Sequence, residues 1–240
     1  LNALGIKIDG VPSNLYLERL QTKYAGAEVV GTLFEPDLEA LNALAPELVV
    51  VGGRSAGKQA ETSRVAPSID MTIWGEDLIG QMRQRILDYG EIFDVADKAQ
   101  ALVSELDDKI ESAKAAIEGK GPKISVYGPG SRFGWVHTVL GVPAADPDID
   151  AGEHGDAVSF EFVADIDPDW LIVVDRAAAI GSNEQNAKST LDNTLIRQTK
   201  AWKSGQVIYA PSANVYIAAG GARATMEVID SLAAGFSKAQ

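Results

Sequence analysis

No cysteine occurs in the chain, which excludes disulfides, thiolate metal sites and a cysteine nucleophile but assigns no compartment. Histidine is nearly absent too. His137 and His154 are the two, too little material for a metal cage built by protein alone. Basic residues are scarce: 21 Lys and Arg stand against 34 Asp and Glu, a net charge of −13. Such a surface repels phosphates and argues against nucleic acid as a partner. No apolar run reaches the roughly 18 residues of a transmembrane helix. No signal peptide is visible, yet the chain opens on Leu1 and not Met, so a mature or trimmed form is expected. Enzyme signatures are missing as well, with no Gly-x-Ser-x-Gly, Walker A or His-Glu-x-x-His. Gly128-Pro129-Gly130 with Gly134 is only a loose glycine loop, weakened by Pro129. Binding without covalent chemistry is the expectation.

What is present is a pattern stated twice. Glu39, Pro46 and Arg54 are repeated as Glu161, Pro168 and Arg176, and the offset (161 − 39, 168 − 46, 176 − 54) is 122 each time. Leu38, Leu41 and Leu44 match Phe160, Val163 and Ile166 in character. Each copy reads as an amphipathic helix, a proline break, a buried strand and an arginine at the strand's C-terminal end, where ligands of open α/β sheets bind. Two lobes facing each other would aim both arginines into one cleft, a geometry suited to an anion.

The remaining pattern is α/β throughout. Strands are expected over Leu48–Val51, Ile69–Trp74, Lys123–Tyr127, Trp170–Asp175 and Gln206–Ala210. Helices are expected over Asp77–Phe93, Asp97–Glu118, Leu195–Ala201 and Thr225–Phe236. In the second of these Ala99, Leu102, Val103, Leu106, Ile110, Ala113 and Ile117 recur at three- and four-residue steps, and Gly119 and Gly121-Pro122 stop it. The expected organisation is an N-terminal lobe over 1–96, a stiff linking helix over 97–119 and a C-terminal lobe over 120–240. Leu140-Gly141-Val142 echoes Leu4-Gly5-Ile6, but the strand at Lys123–Tyr127 has no counterpart before Leu1. Either the first lobe lacks its first strand, or the residues that form it are missing upstream of Leu1.

Four arginines are binding candidates: Arg54, Arg132, Arg176 and Arg223. The first three follow predicted strands among small neighbours. For one such arginine a surface role or a local ion pair is the simpler reading; for three at equivalent positions it is not. His137, on a predicted helix, reads as structural. His154, in Gly152-Glu153-His154-Gly155, is placed to reach a ligand or metal.

Gly53-Arg54-Ser55, Gly130-Ser131-Arg132-Phe133-Gly134, Val174-Asp175-Arg176 and the run Leu191–Trp202 resemble the ferric-siderophore substrate-binding proteins of bacterial ABC importers. The branch is that of the catecholate binders, of the petrobactin and enterobactin kind. The resemblance covers nearly the whole chain and implies two Rossmann-like lobes joined by a single long helix. It implies that Arg54, Arg132 and Arg176 surround a ferric catecholate of about three negative charges. It further implies that His154 and Tyr216 complete the iron's coordination if the siderophore offers only four donors. The implied cargo is Fe(III) as its siderophore complex, with no intrinsic cofactor. The implied setting is the periplasm, or the outer face of the membrane as a lipoprotein, with an ABC permease as partner and a monomeric chain. Glu39 and Glu161, one per lobe, would dock into arginine pockets of the permease, although each also suits a helix N-terminus. Haem, cobalamin or a hydroxamate siderophore on the same fold remain open, as does, more distantly, a two-lobe α/β transferase. A neutral hydroxamate would not need three arginines, and a transferase needs a phosphate loop.

Overall fold

The computed structural model describes residues 1–75, 77–121, 133–146, 159–180 and 187–238, with the backbone alone for Arg176 and Ala177. The chain forms two compact units. The first comprises Leu1–Trp74 with Arg83–Leu102, and the second Gly75–Met82 with Val103–Gln240.

In the first unit β1 (Gly10–Val11) is followed by α1 (Glu18–Lys23), β2 (Glu28–Val29), α2 (Leu38–Leu44), β3 (Val49–Val51), α3 (Gln59–Thr62) and β4 (Ser68–Asp70). The strands pair in parallel, β1 with β2 and β3 with β4, the latter in the register Val49 to Ser68 and Val51 to Asp70. The ladder is shorter than expected at both ends: Leu48 precedes it, and Met71–Trp74 leave it. Between β2 and α2 the chain reverses within a few residues. Gly31 takes φ 112° there, and a Cβ on it would lie 2.3 Å from the Glu35 carbonyl oxygen. Thr32 Oγ1 accepts from the Phe34 and Glu35 N–H groups, and the Asp37 N–H returns to the Val30 carbonyl. Two helices follow, α4 (Leu78–Ile92) and α5 (Ala96–Ile117).

Helix α5 belongs to both units. All seven apolar residues expected along it are buried, which stabilises by about 1.5–3 kcal/mol for each large side chain removed from water. It ends where the glycines predict, with Gly119 at φ 76° and Gly121 at φ 120°.

The second unit continues with α6 (Trp135–Thr138), α7 (Phe160–Ile166), β5 (Leu171–Val173), α8 (Arg176–Ala179), α9 (Ala187–Leu191), α10 (Lys200–Lys203), β6 (Val207–Tyr209), α11 (Ser212–Tyr216) and α12 (Ala222–Lys238). Strands β5 and β6 are parallel, with Leu171 opposite Val207 and Val173 opposite Tyr209. Trp170, at the entrance to β5, is 1% exposed. Its ring centroid lies 4.6 Å from that of Phe236 on α12, and its Nε1 donates to the Lys120 carbonyl at 2.9 Å. Two ion pairs tie α12 to α5, Lys109 with Asp230 at 2.7 Å and Arg223 with Glu105.

The internal repeat is structural as well as textual. Helices α2 and α7 are each seven residues long. Asp37 caps the first, accepting from the Glu39 and Ala40 N–H groups, and Ser159 caps the second, accepting from Phe162. Both end on a left-handed residue, Ala45 at φ 50° and Asp167 at φ 48°. Caps, helices, left-handed residues and strands all keep the 122-residue offset. The strand expected over Lys123–Tyr127 lies outside the described residues.

Candidate functional site at the strand ends

In the first unit β3 runs into Gly52-Gly53-Arg54, and Gly53 adopts φ 55°. A left-handed residue is cheap only as glycine, and it turns the chain into the 3₁₀ helix Gly53–Lys58 with Arg54 exposed on it. The turn is tied to the end of β4. The Gly53 N–H donates to Thr72 Oγ1 at 2.8 Å, and the Thr72 N–H donates to Asp70 Oδ1 at 2.9 Å. Lys58 closes the far end of the turn by pairing with Glu35 at 2.8 Å and Glu61 at 3.5 Å. The hydrogen bond that Lys58 donates to Glu35 is the main reason its pKa is raised. A second guanidinium supports this edge from α4: Arg85 Nη1 donates to the Met71 carbonyl at 2.9 Å, and burial lowers its pKa.

In the second unit β5 leads through Val174-Asp175 to Arg176, the first residue of α8. Asp175 organises the turn. One carboxylate oxygen accepts from the Ala178 N–H at 2.9 Å and the other from the Ala187 N–H at 2.7 Å. Its own N–H donates to Ser212 Oγ at 3.0 Å, at the start of α11. Helix α11 packs against α8 and α12. Its buried Asn214 donates to Glu227 and, at 3.4 Å, to the Ala224 carbonyl. Tyr216, half-buried, closes the same helix.

Arg54 and Arg176 thus occupy equivalent places, each just past the first strand of a parallel pair. They belong to different units. Tyr216 sits on a helix packed against the one that begins with Arg176. Arg132 and His154 lie outside the described residues. Glu39 and Glu161 are exposed in the first turns of α2 and α7. Arg223 is engaged by Glu105, which gives it a structural role. His137 is structural as expected, its Nδ1 lying 2.7 Å from the Val142 carbonyl oxygen. Among the described residues no cluster of His, Asp and Glu could hold a metal ion. Sequence reasoning gave no role to Thr72 and Ser212, quoted Asp175 only within the arginine motif, and overlooked Arg85. A hydroxyl or carboxylate shortly after a strand was the only available signal for the first three.

Each α/β unit carries an arginine at the C-terminal end of a parallel strand pair, the end at which open α/β sheets bind ligands. The chain belongs to the Periplasmic binding protein family, whose profile matches residues 1–213. It is 32% identical over 254 residues to the petrobactin-binding protein YclQ of Bacillus subtilis, covering 99% of this chain and 79% of YclQ. The crystal structure of that protein superposes with a TM-score of 0.89, at 30% identity, covering 99% of this chain and 87% of that one. The ferric-anguibactin-binding protein FatB of Vibrio anguillarum is 31% identical over 253 residues, covering 98% of this chain and 78% of FatB. A TroA-like periplasmic binding protein from Xylanimonas cellulosilytica has a TM-score of 0.88 at 34% identity, covering 98% and 84%. The fold class read from the sequence, two α/β lobes joined by one long helix, is that of these relatives. Two of them are named for siderophores, in line with the resemblance carried by the arginine motifs. No helix among the described residues is long and apolar enough to cross a membrane.

Proposed function

We propose that this protein binds an anionic ferric siderophore, of the catecholate class, between a lobe over 1–96 and a lobe over 120–240 linked by the helix over 97–119. It then delivers the complex to an ABC permease for iron uptake, and it performs no covalent chemistry. The observation that carries this reading is the pair Arg54 and Arg176, placed at equivalent strand ends by a repeat that extends to caps and left-handed residues. Guanidiniums present planar forks of donors to anionic oxygens and stay charged at every working pH. Arg132 completes the triad in this reading. His154 and Tyr216 serve as iron ligands only for a siderophore with four donors; the iron is cargo, not a resident cofactor. Exposed Glu39 and Glu161, matched across the repeat, are the permease-docking residues. The protein acts as a monomer in the periplasm or, as a lipoprotein, on the outer face of the cell membrane.

The test is tryptophan fluorescence quenching with ferric petrobactin, a ferric tris-catecholate, a ferric bis-catecholate, a ferric hydroxamate, haem and cobalamin. Trp74, 48% exposed and two residues beyond the Thr72 that meets the Arg54 turn, supplies a reporter on that segment. Sub-micromolar quenching by catecholates alone supports the reading. R54A, R132A and R176A should each weaken binding at least tenfold, about 1.4 kcal/mol. Binding of haem or cobalamin instead would keep the fold and overturn the ligand.

A further inference from the structure

The two arginine-bearing turns share a hydrogen-bond pattern that the sequence repeat does not display. The N–H of Gly53, the residue before Arg54, donates to Thr72 Oγ1 at 2.8 Å. The N–H of Asp175, the residue before Arg176, donates to Ser212 Oγ at 3.0 Å. Each hydroxyl comes from the segment just beyond the neighbouring strand, β4 in one unit and β6 in the other. Each also donates to a group two residues upstream of itself: Thr72 to Asp70 Oδ1, and Ser212 to the Ala210 carbonyl at 3.3 Å. A hydroxyl has one proton and can still accept. With its proton directed back along its own strand, its lone pairs are available to the turn across the ladder. Two different residue types reach the same arrangement at the same place relative to the arginine.

We propose that Thr72 and Ser212 are positioning residues for ligand binding, each latching the backbone from which an arginine of the site departs. The inference rests on the reading of Arg54 and Arg176 as ligand contacts. A long guanidinium side chain loses rotamer freedom when it binds an anion. If its Cα also wandered, that motion would have to be frozen on binding too. A latch on the preceding N–H removes this part of the search before the ligand arrives. Thr72 is exposed and Ser212 half-buried, so both hydroxyls can be removed without opening the core.

The experiment measures dissociation constants for ferric petrobactin in T72V and S212A, with T72S and S212T as hydroxyl-retaining controls. T72V and S212A should each weaken binding about three- to tenfold, the worth of one net hydrogen bond, and both controls should restore it. In an R54A background T72V should add nothing, and in R176A S212A should add nothing, because each latch acts through its own arginine. A T72V or S212A protein with a lower Tm but wild-type affinity would overturn the proposal, since the hydroxyl would then serve the fold alone. A T72V loss that persists in R54A would overturn it as well. Wild-type affinity in R54A and R176A themselves would remove the arginine reading, and the latches would fall with it.

Discussion

Replacing Trp170 by phenylalanine isolates the contact that fastens the second unit's sheet to the end of α5. The indole is 1% exposed, lies 4.6 Å from Phe236 between ring centroids, and gives its only N–H to the Lys120 carbonyl at 2.9 Å. Phenylalanine keeps an aromatic surface for Phe236 but has no donor. The carbonyl left behind costs about 1–3 kcal/mol. The smaller ring leaves a void that adds roughly 1 kcal/mol at about 24 cal/mol per Å³. The sum is about 2–4 kcal/mol, and for a chain of this length each kcal/mol moves Tm by about 2–4 °C. W170F should therefore melt roughly 4–16 °C below wild type, read by near-ultraviolet circular dichroism, with a matching drop in urea midpoint. A Tm within about 2 °C of wild type would refute the claim that this hydrogen bond and this packing secure the unit.

Three further outcomes follow from local geometry. S159A and D37A each remove a helix cap and should destabilise by about 1 kcal/mol in urea titration, with glycine at either site costing only a few tenths. G31A forces a side chain into φ 112° against the Glu35 carbonyl and should cost about 1–3 kcal/mol or more in thermal unfolding. Asp167 accepts from the Lys200 N–H at 2.8 Å and pairs with its ammonium at 3.3 Å. The backbone hydrogen bond is the main reason its carboxyl sits below the usual range. With the folded pKa below the unfolded one, the stabilisation is complete above the ordinary Asp pKa of about 3.9 and is lost as pH falls through the folded value. D167N should flatten that acid limb of the urea midpoint against pH, and an unchanged limb would assign the acid sensitivity elsewhere.

The repeat was legible because proline, glutamate and arginine are distinctive letters at a fixed spacing. Its structural depth was not, because Asp37 and Ser159 cap by the same chemistry with different side chains, and Ala45 and Asp167 turn left-handed without glycine. The long helix was legible to within one residue at each end because seven apolar residues kept a 3.6-residue period. The two-residue strands β1 and β2, and the short helices α1 and α11, carried too few residues to show any period. Arg223 looked like the other arginines in sequence; only the fold brings Glu105 to it from 118 positions away. The catch at Thr72 is similarly hidden, since nothing marks that threonine apart from others until β3 and β4 are paired.

Helix α5 is held in common: Ala96–Leu102 count with the first unit and Val103–Ile117 with the second. It contains neither glycine nor proline, so no point along it is predisposed to break. Neither unit can be excised intact, because any cut strips one of them of part of its own core. A single ladder of backbone hydrogen bonds runs through both sets of residues. Amides in the middle of α5 should therefore exchange with solvent at the rate set by whichever unit opens last, and a destabilising change in one unit should leave its trace in the melting of the other.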